Sequence, residues 1–306
     1  MDYKNIIKSR KNRLKILKYL NFLPDSIMLR LQYRIKIGFW PDFHNPKRFT
    51  EKMQIYKMHY RNPKMSDCID KYEVREYVKS KGLEKYLVKL YGVFGSADEI
   101  DFSILPDSFI VKSTSGGGGL KVIIVRDKNH YDITRLKETI NSWCQSKKKK
   151  FSSGREWAYN GIRKTRIVIE ELLKENVNEE YALTDYKLMC FNGRVAFSYI
   201  MSERILGKEV ALSIVDKDFN LMDVYELGEK RPTQPISCPD NYPEMVRIAE
   251  KLSEDFPHVR VDLYNIKGKI YFGELTFYDE SGYNKFVPDS FDYQIGKLFD
   301  ISSFYK

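Results

Sequence analysis

The chain has 306 residues, 42% hydrophobic and 31% charged, a composition that excludes a disordered chain and suits one large or two ordinary cores. No apolar run reaches the ~18 residues of a membrane span, and the N-terminus MDYKNIIKSRKNRLKILKYL lacks the apolar core of a signal peptide, so a cytoplasmic location is expected. With 52 basic against 42 acidic residues the net charge is +10, which favours anionic partners such as nucleotides, acidic glycans or a lipid surface.

Residues 1–37 are densely basic, with Ile6, Ile7, Leu14, Ile16, Leu17 and Leu20 at helical spacing. Such a helix can lie on the inner face of an anionic membrane or pack on its own domain. Pro24, Pro41, Pro46 and Pro63 break residues 1–63 into helix and loop, an N-terminal extension ending near residue 66. From Asp67 to Gly82 the apolar positions Ile69, Tyr72, Val74, Tyr77 and Val78 predict one helix that stops at a C-cap glycine. LVKLYGVF reads as a strand, Pro106 starts a turn, and FIVKSTSGGGGLKVIIV is a strand-loop-strand whose tip is Gly116 to Gly119. Asp132 to Trp143 returns to helix. The run Lys147 to Lys150 lacks interleaved aromatics and gives little reason to expect nucleic acid.

TRIVIEELL is a buried strand ending in two carboxylates, followed by the polar loop KENVNEE. YALTDYKLMCFNGRVAFSYIMS and VALSIVDKDFNLMDV have strand composition, with Asn192-Gly193 as a hairpin turn, so this half is an antiparallel sheet. Pro243 to Phe256 is a helix, and VRVDLY and KIYFGELTFY form a last hairpin across Asn265 to Gly268. The cysteines Cys68, Cys144, Cys190 and Cys238 form no CxxC pair, which with four histidines gives no support for a zinc site or disulfide framework.

Two segments carry chemistry. Successive N–H groups in a glycine run can point into one concavity and approach an anion, and Lys112 at its base suits phosphate; a plain hairpin turn fits the same residues. In the last hairpin Arg260 and Asp262 share one face of a strand, and Glu274 and Thr276 share one face of the next. Two carboxylates there accept a cation between them, and oxygen ligands suit magnesium; a surface face with an Arg260 to Asp262 pair is the alternative. Asp70-Lys71 with Arg75 one turn on reads as a helix start.

In this order the segments resemble the ATP-grasp superfamily of carboxylate-amine ligases, with the D-alanine:D-alanine ligase pattern as the comparison. The resemblance implies an α+β ATP-grasp fold, two subdomains with antiparallel sheets clasping ATP, here over residues 67–306 behind a helical basic extension, 1–66. A glycine-loop lid would span about 105–170 and a metal-binding subdomain about 171–300. It implies that Lys71 and Lys112 hold phosphates under a mobile loop, Ser113 to Leu120, including Ser115, Gly116, Gly117, Gly118 and Gly119. Glu170, Glu171, Leu172 and Leu173 would be the adenine hinge, Asp185 the ribose acid, and Lys187 a neighbour of the phosphates or the acceptor. Asp262 and Glu274 would bind magnesium, Arg260 would stabilise developing charge, and Ser281 and Gly282 would help bind the acyl end. The pattern has asparagine where this chain has Thr276, a weaker ligand.

More finely, NPKRFTEKMQIYKMHYRNP, DKYEVREYV, DYKLMCFNG and RVDLYNIKGKIYFGELTFY resemble the TupA-like branch, found in bacterial capsule and cell-surface polysaccharide clusters. This implies amide formation between a uronic acid carboxylate, on a glycan or sugar nucleotide, and an amino acid or simple amine, with ATP and magnesium. A glycosyltransferase, an ATP-grasp kinase and a non-catalytic scaffold are the other classes; no clear DxD metal motif follows an early strand.

Overall fold

The structure is a computed structural model describing residues 9, 15–16, 19–115, 121–145, 154–162, 164–174, 183–205 and 209–306. Gly116 to Leu120, Lys147 to Lys150, most of KENVNEE and most of the first 18 residues lie outside the described residues.

Four helices come first: α1 (Asp25–Ile37), α2 (Phe49–His59), α3 (Lys64–Ile69) and α4 (Val74–Ser80). The single helix expected from Asp67 to Gly82 is therefore two. The break falls where the Asp70 carboxylate accepts the N–H groups of Tyr72 (2.9 Å) and Glu73 (3.1 Å), while the Lys71 N–H leaves the helix for Thr114 O at 3.2 Å. A short acid that satisfies backbone donors locally competes with helix continuation.

Strands β1 (Leu90–Phe94), β2 (Phe109–Ser113) and β3 (Val122–Val125), helix α5 (Ile133–Cys144) and strand β4 (Ile167–Glu171) follow. They form an antiparallel sheet in the order β1-β4-β2-β3. Phe109, Val111, Val125, Ile167 and Ile169 pack with Leu136 and Ile140 of α5 in one core. Because strand side chains alternate, Ile110, Lys112, Val168 and Glu170 take the opposite face.

Next come β5 (Asp185–Phe191), β6 (Arg194–Ile205), β7 (Glu209–Asp216), β8 (Tyr225–Glu226), α6 (Tyr242–Ser253), β9 (His258–Ile266), β10 (Lys269–Thr276), β11 (Phe286–Val287) and α7 (Ser290–Leu298). A five-stranded antiparallel sheet runs β10-β9-β5-β6-β7, and β8 pairs with β11. Asn192 (φ 51°) and Gly193 (φ 75°) make the β5–β6 turn left-handed, as a two-residue hairpin requires. Leu188, Cys190, Val259, Val261 and Leu263 belong to a core that includes Met245, Ile248 and Leu252 of α6. The opposite face is covered at one end by α2 and α7: Phe49 and Phe299 meet the rings of Phe191 and His258. Helix α2 thus shares a core with the second sheet, and α7, not expected from the sequence, closes it. The two antiparallel sheets with flanking helices give the expected α+β class.

Candidate functional site

Beyond His258, the rest of that face carries the charged residues of the last hairpin, Asp262 buried and Arg260 and Glu274 half-buried. Register places Tyr199, Lys187, Asp262 and Glu274 in one row across β6, β5, β9 and β10. Arg260 and Thr276 stand opposite each other in the next row. A register shift between Phe272 and Glu274 bulges β10 at Gly273, so that Glu274 rather than Gly273 faces Asp262.

Arg260 grips Asp262 with two bonds, Nε to Oδ1 at 2.7 Å and Nη2 to Oδ2 at 2.8 Å. Its Nη2 also donates to Thr276 Oγ1 at 3.1 Å and lies 3.5 Å from Glu274 Oε1, while Nη1 donates to Asp279. Lys187 bridges Asp262 and Asp185, reaching the latter at 2.8 Å. Burial opposes charge on Asp262, yet Arg260 and Lys187 hold its carboxyl below the usual range. Burial likewise works against Lys187 and Arg260, and Asp262 lifts both pKa values despite it. Such a network is stable only with its charges mutually paired.

The first sheet supplies a second cluster. Lys112 Nζ donates to Glu170 Oε2 at 2.8 Å, and Arg75 Nη1 to Glu170 Oε1 at 3.1 Å. Arg75 reaches across to Glu170 of β4 instead of pairing within its own helix. Ser115 Oγ bonds Thr165 Oγ1 at 2.8 Å, and Thr114 N–H donates to Arg166 O at 2.8 Å, fixing the base of the glycine loop. Leu172 and Leu173, past the end of β4, are half-buried.

Lys71 links the two clusters. Burial pulls its pKa below the ordinary lysine value, and the charges acting on it come from both sheets: attraction to Glu274, Asp70 and Glu170, repulsion from Lys112. A lysine pressed toward neutrality beside a second lysine gains most from an added anion.

The turn after β10 completes the site. Glu280 (φ 41°) and Ser281 (φ 57°) are left-handed, and Ser281 Oγ donates to Glu156. Helix α2 holds this turn: Gln54 Nε2 donates to Ser281 O at 3.2 Å and to Gly282 O at 2.9 Å, and Lys57 Nζ donates to Ser281 O. A Cβ on Gly282 (φ +69°) would lie 2.3 Å from Met53 Cγ, so only glycine fits.

Lys71, Lys112, Glu170, Asp185, Lys187, Arg260, Asp262, Glu274 and Thr276 are thus brought together, while Ser281 and Gly282 join through Asp279 and α2. Glu156, Arg75, Gln54, Lys57 and Asp279 were not singled out as site residues. Their site partners are 95 or more positions away except for Asp279, which follows Arg260 by 19, and no local pattern betrays such contacts. Among the described residues no three His, Cys, Asp or Glu side chains are arranged for a metal. Asp262, Glu274 and Thr276 offer only oxygen donors, the kind magnesium takes, and a metal there would have to share Asp262 and Thr276 with Arg260 and Asp262 with Lys187.

A family model described as TupA-like ATPgrasp matches residues 51–300. No curated protein matches. Among solved structures, D-alanine–D-alanine ligase from Bacillus anthracis is 17% identical with a TM-score of 0.43, covering 70% of this chain and 58% of that one. The Helicobacter pylori enzyme is 16% identical with a TM-score of 0.40, covering 76% and 57%. N5-carboxyaminoimidazole synthetase from Staphylococcus aureus, complexed with ADP, is 14% identical with a TM-score of 0.41, covering 68% and 44%. The chain spans less than two thirds of each of these structures. Among the described residues no helix is long and apolar enough to cross a membrane.

Proposed function

The chain belongs to the TupA-like ATP-grasp family, and from that premise we propose that it is an ATP-dependent carboxylate-amine ligase that forms an amide through an acyl phosphate. The observation that carries this reading is Lys71, half-buried with its backbone tied to Thr114 O at the end of β2, on which Glu274 of one sheet and Lys112 and Glu170 of the other act. Two lysines and a glycine-rich loop on one side, facing paired carboxylates on the other, suit a polyphosphate. Magnesium at Asp262, Glu274 and Thr276 would neutralise phosphate charge.

Lys71 and Lys112 bind and orient the phosphates. The carboxylate oxygen of the acid attacks the γ-phosphorus, and the bond to the β-phosphate oxygen breaks, giving an acyl phosphate and ADP. The amine nitrogen then attacks the acyl carbon, loses a proton, and phosphate leaves. Arg260, held by Asp262 and Asp279, would stabilise charge developing on the transferred group. The glycine loop would exclude water from the acyl phosphate. The acid we assign is a uronic acid of a bacterial surface or capsular polysaccharide, or its nucleotide-sugar precursor, joined to an amino acid or simple amine at the cytoplasmic side. The TupA-like membership and the net charge of +10 support an acidic substrate.

Purified protein incubated with ATP, magnesium, uronic acids and a pool of amines should release ADP only when both acid and amine are present. Lys112→Ala and Glu274→Gln should each abolish that release with circular dichroism unchanged; full activity in either variant would place the site elsewhere.

A further inference from the structure

On the far side of Arg260 the charge of the molecule reverses. Asp279, 2% exposed and bonded to Arg260 Nη1, shares the Asn284 side-chain amide with Glu226: Asn284 Nδ2 donates to Asp279 Oδ2 at 3.1 Å and to Glu226 Oε1 at 3.2 Å. The exposed residues Glu229 and Glu280 act on the same group. Burial first, then the charges of Asp279, Glu280 and Glu229, push the Glu226 carboxyl up to about 8. Asp279 and Glu226 thus share one amide, and without a cation beside it Glu226 keeps its proton near neutral pH. The cations acting on the cluster are Arg260, engaged by Asp262 and Asp279, and Lys36, which lies 3.9 Å over the Tyr283 ring and acts on Glu280.

Two buried oxygens in this cluster have no hydrogen-bond partner. Asn284 Oδ1 is one, on a side chain 3% exposed; because its amide nitrogen is pinned between Glu226 and Asp279, the oxygen is fixed beside them. Tyr199 OH is the other, on a side chain 4% exposed that feels Asp279 and Glu226. Buried polar atoms are nearly always paired; Asn284 Oδ1 lacks a donor, Tyr199 OH can give or take a hydrogen bond, and a cationic N–H donor would satisfy the first while letting Glu226 ionise. Among the described residues no three acidic, His or Cys side chains take a metal arrangement, so an N–H cation suits this cluster better than a metal ion.

We propose that Glu226, Asp279, Asn284 and Tyr199 form the subsite that receives the acceptor amine as its ammonium ion, next to Arg260. The inference rests on the amide-forming reading of the site. An aliphatic amine is protonated near neutral pH, so it would arrive as its ammonium ion, held by Asp279 and Glu226 one side chain from Arg260, and would give up its proton before attacking the acyl carbon. The substrate class is a primary ammonium compound.

Ethanolamine binding, followed by saturation-transfer NMR, tests this with ethylene glycol as the uncharged control and ATP titrated separately. Wild-type protein should bind ethanolamine and not ethylene glycol. Glu226→Gln should weaken ethanolamine about tenfold or more while ATP binding is unchanged. Glu280→Gln, at an exposed position, should weaken it by a smaller factor and guards against misfolding of the first variant. Equal ethanolamine binding in wild type and both variants, with ATP bound normally, would overturn the subsite and leave the ligase reading standing. Loss of ATP binding in the wild type would sink the ligase reading instead. Displacement of ethanolamine by magnesium alone would mean a metal site and also overturn the proposal.

Discussion

Lys57 is fully buried, with its ammonium on Gln54 Oε1 at 3.0 Å and on Ser281 O. Burial pushes its pKa from 10.5 down to about 7, against the attraction of Glu156 and with the repulsion of Lys36. A fall of that size corresponds to about 5 kcal/mol as an upper bound. Below pH 7 the lysine is protonated in both folded and unfolded chains, and the whole penalty acts on the native state. Between about 7 and 10.5 the unfolded chain holds a proton that the folded chain lacks, so native stability climbs with pH. Lys57→Met removes this contribution and leaves Gln54 Oε1 without its donor, a loss of about 1–3 kcal/mol at every pH. The stability of the variant relative to wild type should therefore be most favourable below pH 7 and fall by about 1.4 kcal/mol per pH unit above it. Urea unfolding of both proteins from about pH 6 to about pH 10 measures the difference. A difference that stays flat across that window would refute the assignment of Lys57 as a buried, neutralised lysine.

Two further outcomes concern the helices that close the second sheet. A Cβ at Gly296 would stand 2.1 Å from Lys47 O and 2.9 Å from Arg48 C, so Gly296→Ala should push α7 off the start of α2 and destabilise by about 3 kcal/mol; an unchanged thermal midpoint would contradict this packing. Arg48 bonds Asp289 at 2.6 Å and Asp292 at 3.3 Å, and Asp292 is 4% exposed. Arg48→Met should lose about 3 kcal/mol or more by stranding a buried carboxylate, and Arg48→Met with Asp292→Asn should recover part of it; no recovery in urea unfolding would count against the pair.

Much of this was legible along the chain because the signals were local. Alternating Arg260, Asp262, Glu274 and Thr276 announce one charged strand face, and the Asn192-Gly193 turn fixes the β5–β6 register that sets Lys187 opposite Tyr199; Lys187 reaches Asp262 only through the long-range β5–β9 pairing. Lys112 was readable as a strand lysine before a glycine run. The break at Asp70 was not, since Ile69 through Val78 keep helical spacing and only the Asp70 carboxylate and the Thr114 carbonyl divert the backbone. Nor was the role of α2: Gln54 and Lys57 look like polar positions on an amphipathic helix until the Ser281–Gly282 turn, 227 positions beyond Gln54, folds onto them. The cluster of Glu226 and Asp279 was hidden for the same reason, because Glu226 and Asn284 meet only through the β8–β11 pairing.

The acyl-phosphate step is the core of the proposed function, and heavy-oxygen labelling of the acid's carboxylate tests it most directly. With labelled glucuronic acid, an amine, ATP and magnesium, mass spectrometry should find one heavy oxygen in the released phosphate and an amide as product. Unlabelled phosphate, or a phosphorylated sugar formed without amine, would contradict it.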